Sequence, residues 1–135
     1  MKRQGELSAI GPQVMVVDDD LAVRNSLKFS LEVEGFAVRV YAGGTELLND
    51  TELSRGGCLV IDQNMPEMNG LDLIAQLRSR AVAVPAILVT TYPTAALRTR
   101  AAKVGVAIVE KPFLGTILVD RIRELSVGPN AALAN

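Results

Sequence analysis

Four places in this chain put polar, reactive side chains directly after a short apolar run. Asp18, Asp19 and Asp20 follow Val14–Val17, Asp62 follows Cys58–Ile61, Thr90 and Thr91 follow Ala86–Val89, and Glu110, Lys111 and Pro112 follow Val106–Val109. Each alone has a plain structural reading. An acidic cluster before a helix caps free backbone N–H groups, and an Asp after a strand is a turn residue. A Thr there reflects strand propensity, and a lone Lys is a solvated charge. Together they fit one chemistry. If the first and third runs are neighbours, Asp18, Asp19 and Asp62 converge, and two unit charges about 4 Å apart repel by about 4 kcal/mol at an effective dielectric of 20. Such a cluster calls for a cation, and carboxylate oxygens plus water suit Mg2+. Lys111 and the ion would offset an incoming phosphoryl group, which carries about −1.5 to −2 charges at neutral pH. Thr90 would donate its hydroxyl to a phosphoryl oxygen, and Asp62 would be the carboxylate nucleophile. Phosphoryl transfer depends on positioning and charge neutralisation, so the absence of histidine is no obstacle.

The elements that must position these residues recur five times as apolar run, turn and amphipathic stretch. The runs are Val14–Val17, Phe36–Tyr41, Cys58–Ile61, Ala86–Val89 and Val106–Val109. Four are continuous and rich in β-branched residues, as parallel strands covered on both faces are. The second alternates and carries Arg39, which suits an edge strand. Helical stripes fall on Val23, Leu27 and Leu31; Leu71, Ile74 and Leu77; Leu97, Ala101 and Val104; and Leu118, Ile122 and Leu125. A shorter helix is expected around Thr45 to Leu53. Gly35, Gly70 and Gly105 punctuate the boundaries and Pro85 opens the fourth strand. The alternation predicts an α/β domain with a parallel sheet and right-handed crossovers over residues 14–126. Residues 1–13 read as a flexible lead-in and 127–135 as a tail or linker. In such sheets the ligand crevice lies outside the carboxyl ends of the strands, where all four polar clusters fall.

Bulk properties narrow the function. A chain of 135 residues fits one domain, 49% apolar and 21% charged residues mark it as globular, and a net charge of −1 advertises neither nucleic acid nor anionic membrane. Direct nucleic-acid binding by this segment is not expected. No apolar stretch reaches membrane-spanning length and the start lacks a signal-peptide block, so a cytoplasmic setting is expected. Cys58 is alone, which leaves no internal disulfide, and its apolar surroundings make it a small buried hydrophobe.

At these residues the chain resembles the receiver domains of bacterial two-component response regulators, the CheY-like superfamily. The carriers are Val16-Val17-Asp18-Asp19, Ile61-Asp62, Met65-Pro66-Glu67-Met68-Asn69-Gly70, Val89-Thr90 and Glu110-Lys111-Pro112-Phe113, and the match as a whole covers roughly residues 14 to 126. The resemblance implies a flavodoxin-like, three-layer, doubly wound fold with a five-stranded parallel sheet in order 2-1-3-4-5. It implies that Asp62 is the phosphoacceptor. Asp19 and Asp62 would ligate Mg2+, with Asp18 helping partly through water and the backbone carbonyl of Asn64 as the third protein ligand. Thr90 and Lys111 would hold phosphoryl oxygens. The donor would be a phosphohistidine on a sensor histidine kinase or phosphotransfer protein, and the signal would pass to a partner or output domain. Such a domain is a switch that catalyses only its own phosphorylation and dephosphorylation. The resemblance also implies a cis Lys111–Pro112 bond and a possible homodimer through the fourth helix, fifth strand and fifth helix.

One departure stands out. Many receivers carry an aromatic residue three positions before the lysine, where this chain has Ile108, and Tyr92 is the candidate moving aromatic in its place. Two rival readings stay open at this point. In a haloacid-dehalogenase-type phosphohydrolase Asp18 would be the nucleophile, but the Asp62 loop would go unexplained. In a pseudo-receiver the fold would persist without phosphorylation.

Overall fold

The computed structural model describes residues 13–50, 53, 56–111 and 116–134, with side chains described as far as Leu125. Its elements are β1 (Gln13–Val17), α1 (Leu21–Val33), β2 (Ala37–Tyr41), α2 (Gly44–Leu48), β3 (Cys58–Asp62), α3 (Gly70–Ser79), β4 (Ala86–Thr90), α4 (Ala95–Lys103), β5 (Ala107–Glu110) and α5 (Ile117–Ala134). The strands form one parallel sheet in the order β2-β1-β3-β4-β5.

Period-two alternation divides each strand between two cores. Met15, Val17, Leu59, Ile61, Ala86 and Leu88 face Leu47 of α2, Leu71, Ile74 and Leu77 of α3, and Leu97 and Ala101 of α4. Val14, Val16, Cys58, Val60, Ile87 and Val89 face Leu27 and Leu31 of α1 and Leu118 and Ile122 of α5. The central strands β3 and β4 are buried along their whole length. Their continuous apolar runs are therefore required on both faces. Edge strand β2 keeps Arg39 exposed, as its sequence predicts. Cys58 is buried, and its thiol is pushed up to about 12 by desolvation, which makes it inert.

Several expected boundaries shift. Phe36 is buried but precedes β2, and α2 ends at Leu48 instead of reaching Leu53. Val104 is 49% exposed because α4 ends one residue before it, so only Leu97 and Ala101 of that stripe reach the core. The fifth helix runs on to Ala134, through Gly128 and Pro129, where the sequence reads as loop. Proline costs one helical hydrogen bond, yet the alanines beyond it are the best helix formers. The start of β1 at Gln13 trims the lead-in by one residue.

Candidate functional site

The β1–α1 junction divides its three aspartates. Asp20 caps α1, its carboxylate accepting from the backbone N–H groups of Ala22 and Val23 at 2.9 and 3.2 Å. Asp18 instead extends the sheet, its N–H donating to the Tyr41 carbonyl at 3.2 Å, while its own carboxylate accepts from Asp20 N–H at 2.9 Å. The Arg24 guanidinium, one turn along α1, donates to the Asp18 carbonyl at 2.8 Å. The turn is thus held from both sides, with Asp18 buried and Asp19 exposed.

The β3–α3 junction is held more tightly still. Gln63 N–H donates to the Val89 carbonyl at 2.8 Å, and Gln63 accepts through its own carbonyl from Gly70 N–H (3.1 Å) and through its side-chain oxygen from Leu71 N–H (2.9 Å). Asn69 caps α3 by accepting from Asp72 N–H at 2.8 Å. Gly70 has no room for a side chain: a Cβ there would stand 2.7 Å from the Asp62 carbonyl oxygen and 2.6 Å from Leu88 Cδ1. The Asn-Gly pair of the loop therefore has two separate jobs, a cap and a close backbone approach.

Register brings the clusters together. Val17 pairs with Ile61, so Asp18 and Asp62, the next residues, reach neighbouring positions. Carboxylate oxygens of Asp18, Asp19 and Asp62 all lie within 4.8 Å of one another. Lys111 bridges two of them, its Nζ 3.4 Å from Asp18 Oδ2 and 3.4 Å from Asp62 Oδ1. One ammonium thus serves two buried carboxylates while a third approaches from the solvent side. Burial, and then the Asp18 charge, push the Asp62 carboxyl above the ordinary range despite Lys111. Asn64 N–H donates to Asp62 Oδ1 at 3.3 Å, and its side-chain amide donates to the buried Thr90 hydroxyl at 3.4 Å. A cleft of about 450 Å3, lined in part by Met65 and Met68, opens beside Asp19.

Asp18, Asp19, Asp62 and Lys111 are therefore one cluster, and Thr90 is tied to it through Asn64. Tyr92 stands apart, 82% exposed, while Ile108 is half-buried and packs against the core that joins Leu88 of β4 to Ala101 of α4. Pro112, and with it the expected cis bond, lies outside the described residues. Sequence reasoning missed Arg24 and Gln63. For Arg24 the signal was an arginine six residues after Asp18, within reach of the turn. For Gln63 no sequence signal announces a side chain that reaches eight residues along to Leu71.

A doubly wound sheet with buried carboxylates, a bridging lysine and a threonine at one edge defines a class of phosphate-handling α/β domains. The family model "Response regulator receiver domain" matches residues 14–123, and the chain belongs to this family. Across 114 residues the chain is 35% identical to the transcriptional regulatory protein FixJ of Rhizobium meliloti, covering 84% of this chain and 56% of that protein. The chain spans about half the length of the curated relatives it matches. Among solved structures, the crystal structure of FixJ-N is 32% identical, covers 86% of this chain and 94% of its own, and has a TM-score of 0.77. The response regulator TrrA of Thermotoga maritima, solved in complex with Mg2+–BeF, is 25% identical with a TM-score of 0.74, covering 85% of this chain and 99% of that one. The chain is thus a receiver domain of response regulators, with an acidic pocket consistent with a phosphoacceptor site. Among the described residues no helix is long and apolar enough to cross a membrane.

Proposed function

We propose that residues 14–126 form a phosphorylation switch in which Asp62 accepts a phosphoryl group from a histidine kinase or phosphotransfer partner. The carrying observation is the shared Lys111, 3.4 Å from both Asp18 and Asp62 at the carboxyl edge of the sheet. Mg2+ fits the donor set: three carboxylates converge within 4.8 Å, and burial, with the Asp18 charge second, raises the Asp62 carboxyl despite Lys111. Asp18, Asp19, Asp62 and the Asn64 carbonyl would hold the ion, which neutralises phosphoryl oxygens when bound. An Asp62 oxygen attacks phosphorus, an O–P bond forms as the bond to the donor breaks, and the departing imidazole keeps the electron pair and takes a proton from solvent. Lys111 then turns from carboxylates to a phosphoryl oxygen. Thr90 accepts from the Asn64 amide, which leaves its own O–H proton to donate to another phosphoryl oxygen.

Burial of Thr90 beside exposed Tyr92 supports a relay in which Tyr92, with Ile108 as passive packing, carries the change to α4. The cytoplasmic setting and a dimer through α4, β5 and α5 belong to the same reading. Incubation with a small-molecule phosphodonor and Mg2+, followed by intact mass, tests the core of it. One added phosphoryl group, lost in Asp62→Asn, is expected. No addition, or one that persists in that variant, overturns the reading.

A further inference from the structure

We propose that the groove between α3 and α4 docks an acidic amphipathic helix of a protein partner. The groove has a volume of about 440 Å3 and is lined by Leu71, Ile74 and Arg78 of α3 with Arg100 and Lys103 of α4 and the exposed Val104. Its charged lining is three cations against one anion, Asp72, a local balance of +2 in a chain whose net charge is −1.

That anion offsets little. Asp72 approaches Arg100 only to 3.9 Å, with both side chains more than half exposed. Arg78 spends one N–H on the Val82 carbonyl at 2.9 Å and has a depressed guanidinium pKa because of its burial. Helix α4 carries Arg98, Arg100 and Lys103 and no acidic residue. Its C-terminal cations complement its own helix dipole, but that accounts for neither the basic rim facing α3 nor the apolar Val104 beside it. A basic rim over an apolar floor matches a helix that presents one apolar stripe flanked by carboxylates. Nucleic acid is the weaker fit, because phosphates find no use for the apolar floor.

The groove also occupies an informative place. Helix α3 begins against the Asp62 carbonyl, and α4 follows the connection from Thr90. An occupant would touch both helices that leave the site, yet docking itself requires no phosphorylation.

The probe is a capped, fluorescein-labelled peptide of about four helical turns, with a leucine stripe flanked by glutamates. Anisotropy titration against the whole chain should show saturable binding that weakens with salt. Charge reversal in R100E/K103E should weaken it about tenfold, and neutralisation in R100Q/K103Q by less. R98E is the control, since Arg98 is exposed on the same helix but does not line the groove. It should match wild type within about twofold. Thermal melts verify that all variants fold. The proposal fails if the peptide does not saturate, if R98E weakens binding as much as R100E/K103E, or if a single-stranded oligonucleotide of equal charge binds more tightly.

Discussion

The connections that leave β3 and β4 perform adjoining tasks but are built differently. Between Asp62 and α3, Gln63 alone engages Val89, Gly70 and Leu71, Asn69 caps the helix, and Gly70 lies against the backbone of Asp62. Between Thr90 and α4, Thr91 and Tyr92 project into solvent and Thr94 caps a helix that buries only Leu97 and Ala101. The first connection fixes Asp62, the residue proposed as phosphoacceptor. The second is held by fewer contacts, which suits the responding role proposed for it.

The largest test of this contrast is Gly70→Ala. A methyl group 2.7 Å from a carbonyl oxygen forces α3 away from β3, and a loss of about 3 kcal/mol or more is expected by urea denaturation. A loss under about 1 kcal/mol would show that the tight connection yields as easily as the loose one.

Next comes Asp62→Asn in metal-free protein, which removes a buried charge facing Asp18. Stability at pH 7 should rise by about 1–2 kcal/mol. The sign follows from linkage. The folded Asp62 carboxyl is raised, so the wild type carries this penalty above the folded value and sheds it as pH falls toward the unfolded value of about 3.9. The advantage of the variant should therefore shrink on acidification. Saturating Mg2+ should reverse the order at pH 7, since about 100-fold excess over Kd stabilises the wild type by about 2.7 kcal/mol, and melts with and without EDTA read it directly.

The two caps refine the comparison. Asn69→Ala and Thr94→Ala should each cost about 1 kcal/mol. Amide exchange should separate them, with Thr94→Ala accelerating residues 95–103 alone and Asn69→Ala also loosening the Asp62 loop. Identical exchange maps would dissolve the distinction. Smallest in stability is Tyr92→Ala, expected within about 0.5 kcal/mol because the ring is 82% exposed. Its effect should appear instead as a lost phosphorylation-dependent change in exchange over residues 94–110. If that change survives, Tyr92 is not the moving aromatic.

Some of this was open to reading without coordinates. Continuous β-branched runs are buried on both faces and so announce parallel strands, and polar residues after those runs fall at one edge because every strand points the same way. Asp18, Asp62, Thr90 and Lys111 were legible for that reason. Local pattern could not divide three consecutive aspartates into a cap, a buried carboxylate and an exposed one, because that depends on where α1 departs. Nor could helical periodicity show that α4 ends before Val104, since the stripe continues past the last hydrogen-bonded turn.

The sequence alone determined the alternation of elements, the two-faced burial of the strands and the side chains available for chemistry, since these follow from residue type and period. Tertiary structure decided the pairing of β1 with β3, the single lysine shared by two carboxylates, the reach of Arg24 to the Asp18 carbonyl and the contact that only a glycine at position 70 permits. Each of these depends on distances between segments remote in the chain, and those distances are set by packing the whole domain at once.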